Sequence, residues 1–289
     1  MKSYRTYLFL ASAMVAFVFA SCQKEPEITP IYPDTSDNTT DTIPDTPNTP
    51  DVPSEALSGL FSVADNHQVR FAQGNLQYAD GSWRIAEQQY DFLRAFDDNI
   101  WDHFGWSTAN TNYGLLTSSS DNSYSGEYVE WGTVFGANSP WRTLTADEWT
   151  YLRFYRPDAY SLCATGSILI ADGSIVRGCF FLPDNWVLPE GCTFNAGLGQ
   201  IHTDYSRNTY SVVDGTWAAM QAAGAVFLPA AGTRHGYSFN SVDSHGRYWA
   251  APSESHNLYY LYFTGRSIDC TNTHGPSYGN CVRLVIDKD

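Results

Sequence analysis

Alternating apolar and polar positions predict a series of short β-strands along the chain from about residue 57 onward. The predicted strands cover 60–63, 68–72, 76–78, 83–85, 167–170, 178–182, 225–229, 258–263 and 282–286. They are rich in aromatic and branched residues and are separated by turn-forming residues, a pattern typical of antiparallel hairpins. The sequence therefore predicts a sheet-rich domain with many loops.

Two helices interrupt these strands. Thr145 and Glu148 form a capping box, apolar residues follow at helical spacing, and Pro157 ends the first helix. A similar start at 211–214 predicts a second helix that ends near Gly224. Because strands and helices do not alternate as in βαβ units, the predicted class is α+β, with two helices around mixed, mainly antiparallel sheets.

The last part of the chain, 247–289, is predicted to carry the functional surface. Its strands at 258–263 and 282–286 are separated by a polar stretch at 264–279, and residues 253–257 precede them. Long loops inside compact domains are usually functional, and loops rich in tyrosine, serine and asparagine are typical of recognition surfaces. The segment is therefore interpreted as ligand-binding.

Alternation along the strand at 258–263 assigns its side chains to two faces. Leu261 and Phe263 are predicted to face the core, and Tyr260, Tyr262 and Thr264 to face outward. The alternative is that the two tyrosines are ordinary half-buried residues. The residues predicted to contact a ligand are Tyr248, His256, Tyr260, Tyr262, Arg266, Asp269, Asn272, His274 and Tyr278.

The N-terminal region has the features of an exported, tethered protein. Lys2 and Arg5 precede an apolar run, and the segment 1–21 ends at Cys22, which resembles a lipoprotein signal with Cys22 as the lipidated residue. A plain secretory signal and a short membrane helix are the alternatives. The segment 22–56, rich in proline, threonine and aspartate, is predicted to be a disordered tether before a domain at 57–289.

This organisation predicts an outer-membrane lipoprotein that is anchored by its N-terminal lipid. The acidic stretch at 23–27 resembles the surface-export signal of Bacteroidota lipoproteins, so exposure at the cell surface is expected. The net charge of −15 argues against a nucleic-acid partner, because phosphate backbones select basic surfaces.

Five cysteines remain after Cys22: Cys163, Cys179, Cys192, Cys270 and Cys281. An odd number cannot all pair within one chain. At most two disulfides are expected, with Cys270–Cys281 the favoured pair, and the alternative is that these residues are small buried thiols.

Several motifs in order resemble the FISUMP (major paralogous domain) type of exported protein. The motifs lie at 71–78, 141–149, 182–186, 222–232, 248–249 and 282–285. This resemblance implies a C-type-lectin-like domain related to the formylglycine-generating enzyme fold. The C-terminal part also resembles the variable domains of diversity-generating retroelement targets, which implies that 247–289 is a diversified ligand-binding segment on a fixed scaffold.

Catalytic and metal-binding motifs have little support in the sequence. The Gly275–Gly279 stretch matches the letters of a nucleophile elbow with Ser277, but a polar loop precedes it and a strand follows, so coincidence is favoured. Asp97, Asp98 and Asp102 are interpreted as solvated residues of an irregular loop rather than as calcium ligands. The stretch 101–128 is interpreted as an exposed insertion.

His245, His256 and His274 could meet in one site, but the favoured interpretation is that they are loop histidines exposed to solvent. No cofactor and no metal are predicted.

The favoured function is binding of an extracellular protein or glycan by a surface-tethered adhesin or receptor, and no enzymatic activity is predicted. The alternatives are a structural envelope or pilus-tip component and an enzyme of the formylglycine-generating or a hydrolytic type.

Overall fold

The structure is a computed structural model that describes residues 52–106, 128–252, 258–273 and 275–288. The described residues belong to one compact unit, 51–289. The predicted signal segment, Cys22 and most of the predicted tether lie outside them, as do 107–127, His256 and His274. Within the described part of the chain, no helix is both long enough and apolar enough to cross a membrane.

The fold is mostly β-sheet, with sixteen strands among the described residues. They are β1 (Phe61–Ala64), β2 (His67–Phe71), β3 (Leu76–Ala79), β4 (Ser82–Ile85), β5 (Ile100–Trp101), β6 (Trp141–Thr143), β7 (Cys163–Leu169), β8 (Ile175–Phe181), β9 (Thr209–Ser211), β10 (Val226–Pro229), β11 (Thr233–His235), β12 (Ser238–Asn240), β13 (His245–Trp249), β14 (Tyr259–Thr264), β15 (Ile268–Thr273) and β16 (Leu284–Asp287).

The helices are short: α1 (Ala146–Thr150), which continues into a π-helical turn (Tyr151–Tyr155), and α2 (Thr216–Ala222). A 3₁₀ turn covers Trp131–Phe135. Every strand predicted from the hydrophobic pattern is present, and the sheet-rich prediction with two helices is confirmed.

The strands form small sheets in the orders β1-β2-β16-β6, β10-β8-β7-β9, β13-β14-β15, β4-β3-β5 and β11-β12. Their pairing is antiparallel, except that β9 runs parallel to β7. The C-terminal strand β16 lies between β2 and β6, with Val285 opposite both Phe71 and Arg142. The start and the end of the described domain therefore share one sheet. Ahead of β1, the Glu55 carbonyl already accepts a hydrogen bond from the Gln73 amide, so this residue of the predicted tether contacts the domain.

The predicted capping box of α1 is confirmed. The Glu148 amide donates to Thr145 Oγ1 at 3.2 Å, and the Thr145 amide donates to Glu148 Oε2 at 2.8 Å. These two bonds satisfy amides that a helix start leaves without partners. The π-helical turn ends at Tyr155, just before Arg156 and Pro157, because proline cannot continue a helix.

The predicted start of α2 at 211–214 is wrong by a few residues. The Thr216 amide donates to Asp214 Oδ1 at 2.9 Å, which forms a turn ahead of the helix. Gly215 has a φ of 81° and precedes the first helical residue. Gly224 follows the helix with a φ of 96°, as expected for a C-terminal glycine. Short aspartate turns compete locally with helix starts, which explains the difference.

The interpretation of 101–128 as an exposed insertion is wrong for 101–106. Phe104 and Trp106 are 0% and 4% exposed. The Phe104 amide donates to the Asn280 carbonyl at 3.0 Å, and the Phe104 carbonyl accepts from Trp249 Nε1 at 2.7 Å. Aromatic residues in an irregular stretch are here part of a tryptophan-rich core. Residues 107–127 lie outside the described residues.

The core has three parts. The first lies between the β1-β2-β16-β6 sheet, α1 and one face of the β13-β14-β15 sheet. The second is aromatic and includes Phe104, Trp131 and Trp249. The third packs α2 against the β10-β8-β7-β9 sheet through Trp217 and Phe227.

The Arg283 side chain, which is 1% exposed, links several parts of the chain. Its guanidinium donates to Asn75 Oδ1 at 3.0 Å and to the carbonyls of Ala72, Gln89 and Phe227 at 3.3, 3.4 and 3.1 Å. Burial lowers the pKa of Arg283 to about 10, so the group remains charged at neutral pH. Its partners are neutral oxygens that receive hydrogen bonds they would otherwise lack.

Replacing Arg283 by methionine is expected to lower the free energy of unfolding by roughly 2–4 kcal/mol, because buried acceptors lose their donor. Urea denaturation followed by tryptophan fluorescence measures this loss. Arg84→Met is the matched control, since Arg84 is exposed and should tolerate the change. Equal stability of the Arg283→Met variant and the parent chain would contradict the assigned role.

Candidate functional site

The sheet β13-β14-β15 has one face against the core and one face toward solvent. Leu261 and Phe263 on β14 point into the first core part, to which Trp149 of α1 also belongs. Gly246 on β13 lies opposite Phe263, and an added Cβ there would stand 2.0 Å from the Phe263 ring. Only glycine therefore allows this ring to pack across the strand. The helix covers the inner face, so the outer face is the one available to a ligand.

The solvent exposure expected for Tyr260 and Thr264 is wrong. Tyr260 is 5% exposed and belongs to the aromatic core, where its ring lies 6.1 Å from the Trp249 ring. Thr264 is fully buried, and its hydroxyl lies 3.0 Å from His202 Nδ1 and 2.8 Å from Ser267 Oγ. Both residues do lie on the outer side of the strand, but neighbouring side chains cover them.

Tyr248 was also expected at the surface, and it is fully buried. It pairs with Leu261 on the inner side of the sheet, and its hydroxyl donates to the Pro229 carbonyl at 2.9 Å. The strand alternation places it in the core beside Phe263, with ring centroids 6.2 Å apart. Tyr248 is therefore a structural residue.

Four of the predicted contact residues on the β14–β15 hairpin reach the surface. Arg266 and Asp269 are exposed, and Tyr262 and Asn272 are partly exposed. Asp269 pairs with Tyr262 across the two strands. The prediction that 264–279 is a loop is wrong for β15, whose residues form this third strand. Polar residues of low strand preference are held there by pairing with β14.

Tyr278 contacts β11. Its ring stacks on His235 of β11, with centroids 4.3 Å apart and planes at 19°. His256 and His274 lie outside the described residues.

Sequence reasoning missed Arg247 and assigned His245 to a loop. Both lie on β13, where they alternate with the buried Gly246 and Tyr248. The signal was the alternation of His245, Arg247 and Trp249 on one side of a strand that was not predicted. Together with His202 and Tyr262 they form a group that we call the cationic–aromatic cluster, defined as His202, His245, Arg247 and Tyr262.

The cluster is compact. Arg247 Cζ lies 5.4 Å from the centroid of the Tyr262 ring, within the range of a cation–π contact. The His245 and Tyr262 ring centroids are 5.4 Å apart, and Arg247 Nη2 lies 3.4 Å from His245 Nδ1. His202 and His245 have ring centroids 6.5 Å apart. A guanidinium, two imidazoles and a phenol therefore share one patch of the outer face.

Charge in this patch is not neutralised by an ion pair. Among the described residues, no carboxylate lies within 4.0 Å of Arg247. The Nε and Nη1 atoms of Arg247 are buried, and they have no hydrogen-bond partner in that part of the chain. Burial lowers the pKa of His245, and the nearby Arg247 and His202 lower it further, so this imidazole is neutral at neutral pH.

A second group of polar residues, consisting of a carboxylate, an imidazole and a thiol, is buried beside the aromatic core. Asp102 Oδ1 lies 2.6 Å from His103 Nδ1, and His103 Nε2 lies 3.0 Å from the Ala231 carbonyl and 3.7 Å from Cys281 Sγ. The side chains of Asp102, His103 and Cys281 have no exposed surface. The interpretation of Asp102 as a solvated loop residue is therefore wrong, because the His103 ring and the Leu93 amide hold it inside.

His103 is held in its charged form by this arrangement. Its two ring nitrogens face a carboxylate and a carbonyl, which both accept hydrogen bonds, so both nitrogens carry protons. Burial alone lowers the pKa of His103, but neighbouring Cys281 and Asp102 more than offset it and raise the pKa well above its ordinary value. Burial raises the pKa of the Cys281 thiol.

The expected Cys270–Cys281 disulfide is not formed, and both residues are free thiols. Cys270 lies in the first core part, and Cys281 contacts His103. Cys163 and Cys179 have sulfur atoms 3.6 Å apart and are also free. The alternative interpretation, small buried thiols, describes these four cysteines.

The nucleophile-elbow match has no matching structure. Ser277 is 1% exposed and lies in a turn that leads into isolated β-bridges at Gly279 and Asn280. A nucleophile elbow requires a strand before the serine and a helix after it. In the described ranges, no group of three or more histidine, cysteine, aspartate or glutamate residues is placed to hold a metal ion.

Comparisons with known proteins found no matching family model, no matching curated protein and no matching solved structure.

Stability is expected to fall as the pH rises above neutrality, because of the Asp102–His103 pair. The folded-state pKa of His103 lies above its unfolded value of about 6.5, so the contribution is complete below that pH and is lost as the pH rises through the folded-state pKa. Denaturation curves between pH 6 and pH 9 measure this. Asp102→Asn should flatten the decline, whereas His67→Gln, a change at a partly exposed histidine, should keep it. The same slope in the Asp102→Asn variant would refute a charged His103.

Proposed function

We propose that this chain is a surface-tethered lipoprotein that binds an extracellular ligand, a protein or a glycan, through the outer face of β13-β14-β15. The observation that carries the proposal is the cationic–aromatic cluster. It combines Arg247, which has no carboxylate partner in the described ranges, with the partly exposed Tyr262. Arginine and tyrosine are the residue types that dominate binding energy at recognition surfaces.

The sheet that carries the cluster is packed against the core on its inner face. Its inner face packs on α1 and the first core part, and Trp249 and Tyr260 form a buried layer beside Tyr262. A side chain that is already held in place loses little conformational entropy when it contacts a ligand. This support favours a preformed binding face.

The scaffold is proposed to be a C-type-lectin-like domain. The motifs that resemble the FISUMP type lie together in the core: Phe71 on β2, Trp149 on α1 and Val285 on β16 share one hydrophobic cluster. Trp249, from a further motif, shares the aromatic cluster with Trp141, which belongs to the same motif as Trp149. Motifs that are distant in sequence but joined in one core support a shared scaffold, with a C-terminal ligand-binding segment at 247–289.

The N-terminal part of the proposal rests on the sequence. A signal segment at 1–21, lipidation at Cys22 and the tether at 22–56 would hold the domain at the outer membrane, facing outward. A structural envelope role and a formylglycine-generating type of enzyme have no supporting observation among the described residues. Ser277 and Cys281 have almost no exposed surface.

The double variant Arg247→Ala/Tyr262→Ala is expected to reduce ligand binding at least about 10-fold, as for loss of a binding hot spot. The purified full-length chain in detergent is applied to a glycan array and to immobilised extracellular-matrix proteins and mucin. Circular dichroism should show that the variant stays folded.

Tyr155→Ala is the matched control, because Tyr155 is exposed at the end of the π-helical turn. It should leave binding unchanged. Tyr260→Ala is unsuitable as a binding test, since truncation of this buried ring removes core packing. Full binding by the double variant would count against the proposed face.

A further inference from the structure

We infer that the cationic–aromatic cluster binds the carboxylate of an acidic sugar, such as a uronic or sialic acid. The inference rests on the proposed function and names the ligand class of the same face. It follows from the charge of the patch, from the hydrogen-bonding state of Arg247 and from the polar groups around Tyr262.

Two arginines lie at or beside the cluster in an otherwise acidic chain. The sequence carries 31 Asp and Glu residues against 16 Lys and Arg, a net charge of −15. Yet Arg247 and His202 lie close to His245, and Arg266 lies at the adjoining turn, where the Gly265 amide donates to the His202 carbonyl at 2.8 Å. Asp269 on β15 lies across from Tyr262, but no carboxylate among the described residues lies within 4.0 Å of Arg247, so the positive charge of this guanidinium favours an anionic ligand at that place.

Arg247 has unused hydrogen-bonding capacity. Nη2 contacts His245 and the guanidinium is also hydrogen-bonded to the Tyr260 side chain, while Nε and Nη1 have no acceptor in the part of the chain that the structure describes. Buried donors are nearly always hydrogen-bonded in proteins, so two such groups on one guanidinium need an explanation. The side chain as a whole is partly exposed although these two atoms are buried, so binding requires the guanidinium to turn toward solvent, where a carboxylate matches the arginine fork with two parallel bonds.

The surrounding groups favour a sugar over an acidic peptide. Asp269 on β15 pairs with Tyr262, and Asn272 on β15 pairs with Tyr260, two residues before Tyr262 on β14. A carboxylate and an amide accept hydrogen bonds from hydroxyl groups, whereas the Asp269 charge repels a run of carboxylates. The Tyr262 and His245 rings add flat, partly apolar surface. One carboxylate surrounded by hydroxyl groups, as in an acidic sugar, fits this combination.

The test uses matched probes and the full-length chain. Isothermal titration compares 3′-sialyllactose with lactose and glucuronic acid with glucose, with tetraglutamate as the peptide probe. Each acidic sugar is expected to bind at least about 10-fold more tightly than its neutral counterpart, a typical difference for a charge-assisted bidentate contact. Arg247→Gln should abolish that preference, and Arg84→Gln, at an exposed arginine, should preserve it.

Three results would overturn the inference. They are equal affinity for acidic and neutral sugars, tighter binding of tetraglutamate than of both acidic sugars, and an acid preference that survives in Arg247→Gln. The proposed function is judged separately, because it fails only when array and matrix-protein binding are unaffected by Arg247→Ala/Tyr262→Ala. Loss of array binding in that variant without any acid preference would sustain the binding face and refute the acidic-sugar ligand.

Discussion

The buried guanidinium of Arg283 is the interaction on which the rest of the structure depends. Arg283 directly precedes β16. Its guanidinium donates to oxygens of Ala72, Asn75, Gln89 and Phe227, all of which are distant from Arg283 in sequence. A buried charge without a carboxylate partner is costly, and neutral oxygens stabilise it only when several converge. The converging segments therefore have one arrangement that satisfies both the charge and their own carbonyls. This constraint holds β16 between β2 and β6, and with it the C-terminal part of the domain.

The domain contains two groups of polar residues that differ in burial and in charge pairing. On the inside, Asp102 and His103 form an ion pair beside Cys281, where water is excluded. On the outside, Arg247 lies over Tyr262 with its charge unmatched by any carboxylate among the described residues. The inner pair is complete in itself and has the features of a structural element. The outer group is incomplete, which is the state expected of a surface that receives a ligand.

The sequence by itself determined the local elements. Alternation located nine of the sixteen strands among the described residues, and it gave the inward placement of Leu261 and Phe263, because side chains in any strand must alternate. The capping box at Thr145 and Glu148 determined α1, because it satisfies the helix start within four residues. The sequence also determined the composition of the C-terminal surface, where Tyr262, Arg266 and Asp269 are among the residues that reach solvent.

Only the tertiary structure decided which outward-facing residues stay at the surface. Tyr260 and Thr264 lie on the predicted face, yet Trp249 and His202 cover them from other segments. Asp102 enters the core because the adjacent His103 ring and the Leu93 amide donate hydrogen bonds to its carboxylate, while the other His103 nitrogen donates to the distant Ala231 carbonyl. Strand period is a local property, whereas burial and charge pairing depend on contacts between residues far apart in the chain. For that reason the position of Arg247, the centre of the proposed site, follows only from the pairing of β13 with β14, which places Arg247 opposite Tyr262.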